Sequence, residues 1–257
     1  MIRALHVESM RSEDLHAGHE SHTLFQASTV SALLDGSYDG DLSFAELAEQ
    51  GDTGLGTLNA LDGEMIALDG KFLRADAHGA INEIPPDSRT PFAVVGWFEP
   101  DLEFEISGVS GFDDLVTRLE DQMPADTPAI AVRIDGDFKS VTARSVPRQH
   151  APYRPLAEVV ADQNVFDLPA GPGTLVGFRF PAYSEGIEIA GYHLHFVDRD
   201  RKHGGHVLDL EIESATVKVE TSSDLHIELP PGMDLGSPDL AGDTHAAIER
   251  AERLRSE

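Results

Sequence analysis

The sequence predicts an α+β (mixed α/β) fold, two β-sheet domains with a few helices. Three observations carry this. Apolar residues fall mostly in short alternating runs bounded by Gly, Asp and Pro, not at helical spacing. Two Leu-Asp-Gly turns, at 61–63 and 68–70, part such runs in the first half. Only a few stretches carry helix start and stop signals.

Residues 1–21 are polar and aperiodic and are expected to form a flexible N-terminal arm. LFQASTVSALLDG (24–36) is predicted helical, with Ser28 as its cap and Gly36 as its stop. LSFAELAEQG (42–51) places Ser43 three residues before Glu46, the spacing of a capping box, and Gly51 suits the exit. LGTLNALDGEMIALDGKFLRAD (55–76) reads as a β-meander, and PFAVVGWFE (91–99) and LEFEISG (102–108) as further strands. GFDDLVTRLEDQM (111–123) reads as a helix, and AIAVRIDGDFKSVTARSVP (129–147) as a hairpin turning at Asp135-Gly136.

The Pro-containing, polar stretch RQHAPYRP after Pro147 is the expected linker. It would divide an N-terminal α/β domain (22–147) from a C-terminal β-rich domain (148–257). In the second part LAEVVADQ (156–163) reads as a short helix. TLVGFRFPAY, GIEIAGYHLHFV, HVLDLEIESATVKVE and DLHIELP read as an antiparallel set, and THAAIERAERLRSE (244–257) as a terminal amphipathic helix.

Composition narrows the function. The 257 residues carry a net charge of −27 and no cysteine. A polyanion is repelled by such a chain, which argues against nucleic acid as a partner. Without thiols, any metal must be held by His, Asp or Glu. No apolar run is long enough to span a bilayer, so no membrane partner is expected. The first residues hold no hydrophobic signal core, and a cytoplasmic location is expected. The only lysines are Lys71, Lys139, Lys202 and Lys218, while Asp and Glu are spread along the whole chain. That spread favours a uniformly acidic, halophilic surface over an acidic tail, because salt screens its self-repulsion. Its melting temperature is therefore expected to rise with KCl; a melting temperature insensitive to salt removes the idea.

The densest chemistry lies in GYHLHFVDRDRKHGGHVLDLEIE (191–213), with His193, His195, His203 and His206. Strand alternation puts His193 and His195 on one side, opposite Tyr192, Leu194 and Phe196. Their Cα atoms would lie about 7 Å apart at roughly 3.3 Å per residue. On the next strand His206, Leu208, Leu210 and Ile212 would share the inward face. Three neutral imidazole nitrogens with a fourth position open make a catalytic zinc pattern. A His-x-His on an exposed strand also arises without a metal, so these residues alone leave both readings open. His203, in the charged loop, and His16, His19 and His22, in an aperiodic stretch, read as solvated.

Two further residues stand out. Glu64 lies in a short apolar strand and faces either water or a cleft. Arg144 ends a strand just before the expected linker. It is suited to gripping a carboxylate bidentately, or to a surface ion pair in so acidic a chain.

Long blocks of the sequence resemble the α-acetolactate decarboxylase family. They are LFQASTVSALLDGSYDGDLSFAELAEQGDTGLGTLNALDGEMIALDGKF, TPFAVV, RIDGDFKSVTARSVPRQHAPYRPLAEV and GYHLHFVDRDRKHGGHVLD, in the family's order, over roughly residues 22 to 215. The resemblance implies a two-domain α/β enzyme, often a homodimer, with one zinc ion in the cleft between the domains. The zinc would be held by His193, His195 and His206. It implies Glu64 and Arg144 as cleft residues in catalysis and Thr57 and Arg144 as substrate-binding residues. A glutamate from the C-terminal tail is also implied, best matched by Glu252, with Glu249 second. The reaction implied is that of a carboxy-lyase converting the small molecule 2-hydroxy-2-methyl-3-oxobutanoate (α-acetolactate) to acetoin and CO₂, in acetoin and butanediol biosynthesis. The substrate is a β-keto acid, so its own ketone takes up the electron pair and no amine cofactor is required. Two other classes compete. A cupin-like non-haem iron dioxygenase also uses His-x-His, with Asp198 here the nearest following acid. A zinc-stabilised binding module would need His203 or Asp198 to close the metal shell.

Overall fold

The structure of the chain is a computed structural model that describes residues 5–10, 22–124 and 127–229. In chain order its elements begin with strands β1 (His6–Met10) and β2 (Thr23–Ala27), helix α1 (Val30–Leu34), β3 (Leu42–Ser43) and helix α2 (Phe44–Leu47). Strands β4 (Thr53–Thr57), β5 (Glu64–Leu68), β6 (Lys71–Ala75), β7 (Ile81–Glu83), β8 (Arg89–Thr90), β9 (Ala93–Gly96) and β10 (Leu102–Val109) follow. Then come helix α3 (Phe112–Glu120), β11 (Ala129–Ser145), helix α4 (Leu156–Val160), β12 (Asn164–Leu168) and β13 (Gly171–Phe180). The described chain closes with β14 (Gly191–Asp198), β15 (Gly204–Ser222) and β16 (Asp224–Glu228). The expected α+β character holds: the strands form an eight-stranded sheet, β1-β16-β2-β9-β4-β5-β6-β7, and a six-stranded sheet, β10-β15-β14-β13-β11-β12, with β3 and β8 as a separate pair. No helix among the described residues is long and apolar enough to cross a membrane.

The two sheets pack face to face, and period-two alternation decides what lies between them. On β5, Ile66 and Leu68 meet Val176 of β13 and Val197 of β14 in the layer between the sheets. Met65 and Ala67 point to the opposite face of the first sheet, where α2 packs. On β14, Leu194 and Phe196 face α3 on the far side of the second sheet. Glu64 therefore shares its side with Ile66, and His193 and His195 share theirs with Val197. These side chains are directed into the inter-sheet layer because their apolar neighbours are.

Several expectations hold locally. The capping box is present: Ser43 Oγ accepts from Glu46 N at 3.2 Å and Glu46 Oε2 accepts from Ser43 N at 2.8 Å. The meander of 55–76 is the antiparallel run β4-β5-β6.

Others are overturned. The run 24–36 is not one helix. Residues 23–27 form the interior strand β2, buried on both faces, and only 30–34 are helical. A strand covered on both sides has no alternation, so its apolar run cannot be told from a helix by pattern. The cap is Thr29, whose Oγ1 accepts from Ala32 N at 3.3 Å, while Ser28 takes a left-handed φ of 63° at the break.

No hairpin turns at Asp135-Gly136. β11 runs unbroken for 17 residues. Gly136 lies opposite Ala215, where a Cβ would come within 2.4 Å of the alanine methyl, so this glycine serves close strand approach and not a turn.

DLHIELP leaves the antiparallel set. As β16 it crosses to the first sheet and pairs in parallel with β1 and β2. Residues 6–10, expected within a loose arm, form β1 at that sheet's edge. Both sheets thus mix residues from either side of Pro147, since β10 and β11 belong to the second sheet and β16 to the first. The terminal helix of 244–257 lies outside the described residues.

Candidate metal centre

The β14–β15 hairpin builds the centre. Its pairing sets His195 opposite His206, and His206 is opposite Arg144 on β11. Gly204 lets the hairpin lie close, since a Cβ there would meet Phe196 O at 2.4 Å and the Ile66 side chain at 3.1 Å. Asp198 closes the loop: Lys202 N donates to its Oδ1 at 2.7 Å, and His203 Nδ1 pairs with its Oδ2 at 2.7 Å.

The face expected for β15 is corrected. Leu210 and Ile212 pack with Leu194 and Phe196 on the α3 side, while His206 points to the inter-sheet layer. The register slips between Thr142 and Ala143, where Leu208 has no partner on β11. A bulge of two residues against one reverses the side taken by everything beyond it.

His193, His195 and His206 are buried, and their ligand nitrogens all lie within 4.8 Å of one another. His193 Nε2 and His206 Nδ1 are 3.1 Å apart. His195 Nδ1–H donates to the Met65 carbonyl at 2.8 Å, which fixes the tautomer and leaves Nε2 a lone pair. That Nε2 is buried with no hydrogen-bond partner. Two nitrogens on one tetrahedral zinc at about 2.0–2.1 Å would stand roughly 3.3 Å apart, close to the separation of His193 and His206. The donor set therefore fits a metal ion. Neither His203 nor Asp198 joins the group, each being engaged with the other.

Across the layer, Thr57 and Glu64 are paired neighbours on β4 and β5. Glu64 Oε1 accepts from Arg144 Nη1 at 3.1 Å, and its Oε2 is 3.6 Å from His195 Nε2. One carboxylate thus links the first sheet to both the arginine and the imidazole of the second, all three buried. Thr57 is buried, but its hydroxyl donates to Gly63 O at 2.8 Å. With its proton engaged there, the hydroxyl oxygen offers lone pairs toward a ligand. Glu249 and Glu252 lie outside the described residues. Thr57, Glu64, Arg144 and His193 are the polar side chains lining a cavity of about 50 Å³.

Burial, with the charge of Arg144 second, holds the His193 pKa down to about 3. Burial, then His193, keeps His195 well below the ordinary 6.5, against the opposing bond to Met65. Both rings are neutral near pH 7, the form that binds metal. Without metal, these rings take up protons more readily when unfolded than when folded, so stability rises with pH. Metal-free protein is expected to be level in stability above pH 6.5 and to lose up to ~1.4 kcal/mol per pH unit per ring below it. Urea unfolding across that window checks this; a flat profile would contradict it.

The comparisons with known proteins agree on one family. A family model described as Alpha-acetolactate decarboxylase matches residues 24–241. The Alpha-acetolactate decarboxylase of Methylococcus capsulatus is 41% identical over 252 residues, 98% of this chain and 97% of that protein. The enzyme of the same name from Bacillus subtilis is 40% identical over 225 residues, 86% of this chain and 88% of its own. The crystal structure of alpha-acetolactate decarboxylase from Bacillus subtilis strain 168 superposes with a TM-score of 0.83 at 38% identity, covering 90% of this chain and all of that one.

Proposed function

This chain belongs to the alpha-acetolactate decarboxylase family, and from that premise we propose that it converts α-acetolactate to acetoin and CO₂ with a zinc ion held by His193, His195 and His206. The observation that carries the zinc reading is the buried trio of imidazoles, with Glu64 Oε2 3.6 Å from His195 Nε2 and His193 lining one cavity with Glu64 and Arg144. A zinc ion held there would supply a Lewis acid, effective because negative charge grows on the substrate's ketone oxygen as the reaction proceeds.

The remaining work falls to side chains. Breaking the bond to the carboxylate leaves an electron pair, which moves into the neighbouring ketone, and the carbon that lost CO₂ then takes a proton. Arg144 orients the departing carboxylate with its planar fork. Glu64, tied to Arg144 at Oε1, has Oε2 directed to the histidines, where it takes the substrate hydroxyl proton or returns one to carbon. Glu252 of the tail is the proposed partner in that proton traffic. Thr57 accepts from the substrate hydroxyl. The burial of Glu64, Arg144 and His195 strengthens the electrostatic contacts made there.

The test is metal analysis of the purified protein coupled to acetoin formation from α-acetolactate. One zinc per chain with acetoin produced supports the reading. Bound iron with oxygen consumption would favour a dioxygenase, and four protein ligands with no turnover a structural zinc. The family resemblance also motivates the proposed homodimer, in a cytoplasm of high salt.

A further inference from the structure

Thr57, Glu64, Arg144 and His193 are the polar side chains of the cavity, and the rest of its lining is apolar. Helix α1 has the sequence VSALL and α4 has LAEVV, so Val30, Leu33 and Leu34, and Leu156 and Val160, recur at helical spacing. All five line the cavity that Glu64 and Arg144 also line. The two helices are short, yet their wall is stiff. Tyr38 Oη donates to Arg154 O at 2.8 Å, the Tyr38 and Tyr153 rings stand 5.1 Å apart, and Val30 N donates to Ile187 O at 3.0 Å.

The polar side chains have a use for the carboxylate, hydroxyl and ketone of an α-hydroxy-β-keto acid. The fourth substituent of its carbinol carbon is an alkyl group, and the apolar lining is what remains for it. With a cavity of about 50 Å³ lined by buried side chains, one extra methylene has little room. We propose that Leu34 and Val160, from the two helices that line the cavity, are specificity-determining residues that set the size of the alkyl group accepted at the carbinol carbon. The inference rests on the decarboxylation reading above for its choice of substrate.

The experiment compares kcat/KM for 2-hydroxy-2-methyl-3-oxobutanoate and for its homologue with ethyl in place of the 2-methyl group. Val160→Ala and Leu34→Ala are each expected to raise the ethyl-to-methyl ratio about tenfold or more, the worth of a methylene in an apolar pocket. Val160→Ile, which takes up space in the cavity, is expected to lower the ratio. Val159→Ala is the control: that side chain is equally buried in the same core but does not line the cavity, so the ratio should keep its wild-type value. The ketone-reduced 2,3-dihydroxy analogues, which have no electron sink, give the same comparison by calorimetry. Wild-type turnover with unchanged ratios in both alanine variants overturns the size filter and leaves decarboxylation standing. Binding of both diols with the variants' preference shifted, but no turnover of either keto acid, overturns decarboxylation and leaves the filter standing. If the alanine variants do not fold, an unchanged ratio in Val160→Ile overturns it and a lowered one supports it.

Discussion

Replacing His195 by alanine is expected to lower turnover by about a thousandfold or more, since a Lewis acid contributes several kcal/mol to the barrier. Zinc content should fall with it, from one ion per chain toward none. His195 is the ring most fully committed by its surroundings: wholly buried, its Nδ1–H given to Met65 O and its Nε2 left to the centre. The same ring ties β14 to β5, so removing it also loosens the two sheets. Chelated wild-type protein is the control that separates a lost ion from a lost contact. A His195→Ala variant with zinc and turnover both intact would defeat the assignment of the centre.

The second large effect is expected at Arg144. Arg144 and Glu64 are buried and bonded at 3.1 Å. Arg144→Met takes the guanidinium away from a carboxylate that stays in the inter-sheet layer, and removing one partner of a buried pair costs about 3–5 kcal/mol. Arg144→Lys is the more telling change. It keeps the charge beside Glu64 but loses the fork, so stability should fall less while turnover drops about a hundredfold through misplacement of the carboxylate. Denaturant unfolding and steady-state kinetics on the two variants check this. Equal kcat/KM for the lysine variant and wild type would argue against a bidentate grip.

The legible parts of this protein are those whose cause is local. Ser43 and Glu46 cap α2 because both groups of the box lie within one turn. His193 and His195 share a side because alternation acts over two residues, and a short loop sets His206 opposite His195. The long blocks of 22–215 also identify the family, which the comparisons show directly.

What could not be read depends on which surface covers which. β2 looks helical by pattern because sheet neighbours and both faces bury it, and Gly136 looks like a turn because its close neighbour, Ala215, is 79 residues away. The unpaired Leu208 reverses a face by a slip between two strands, which neither strand's own pattern displays. The exchange of β10, β11 and β16 across Pro147 follows from the partners available to each edge.

From sequence alone came the family, the three histidines and the residue types needed around them. Tertiary structure decided that Glu64 reaches Arg144, 80 positions away, and lies beside His195, and that two short helices line the cavity they share. The reason is physical: periodicity directs a side chain to one face of its own strand, but only the packing of one sheet on another determines what that face meets.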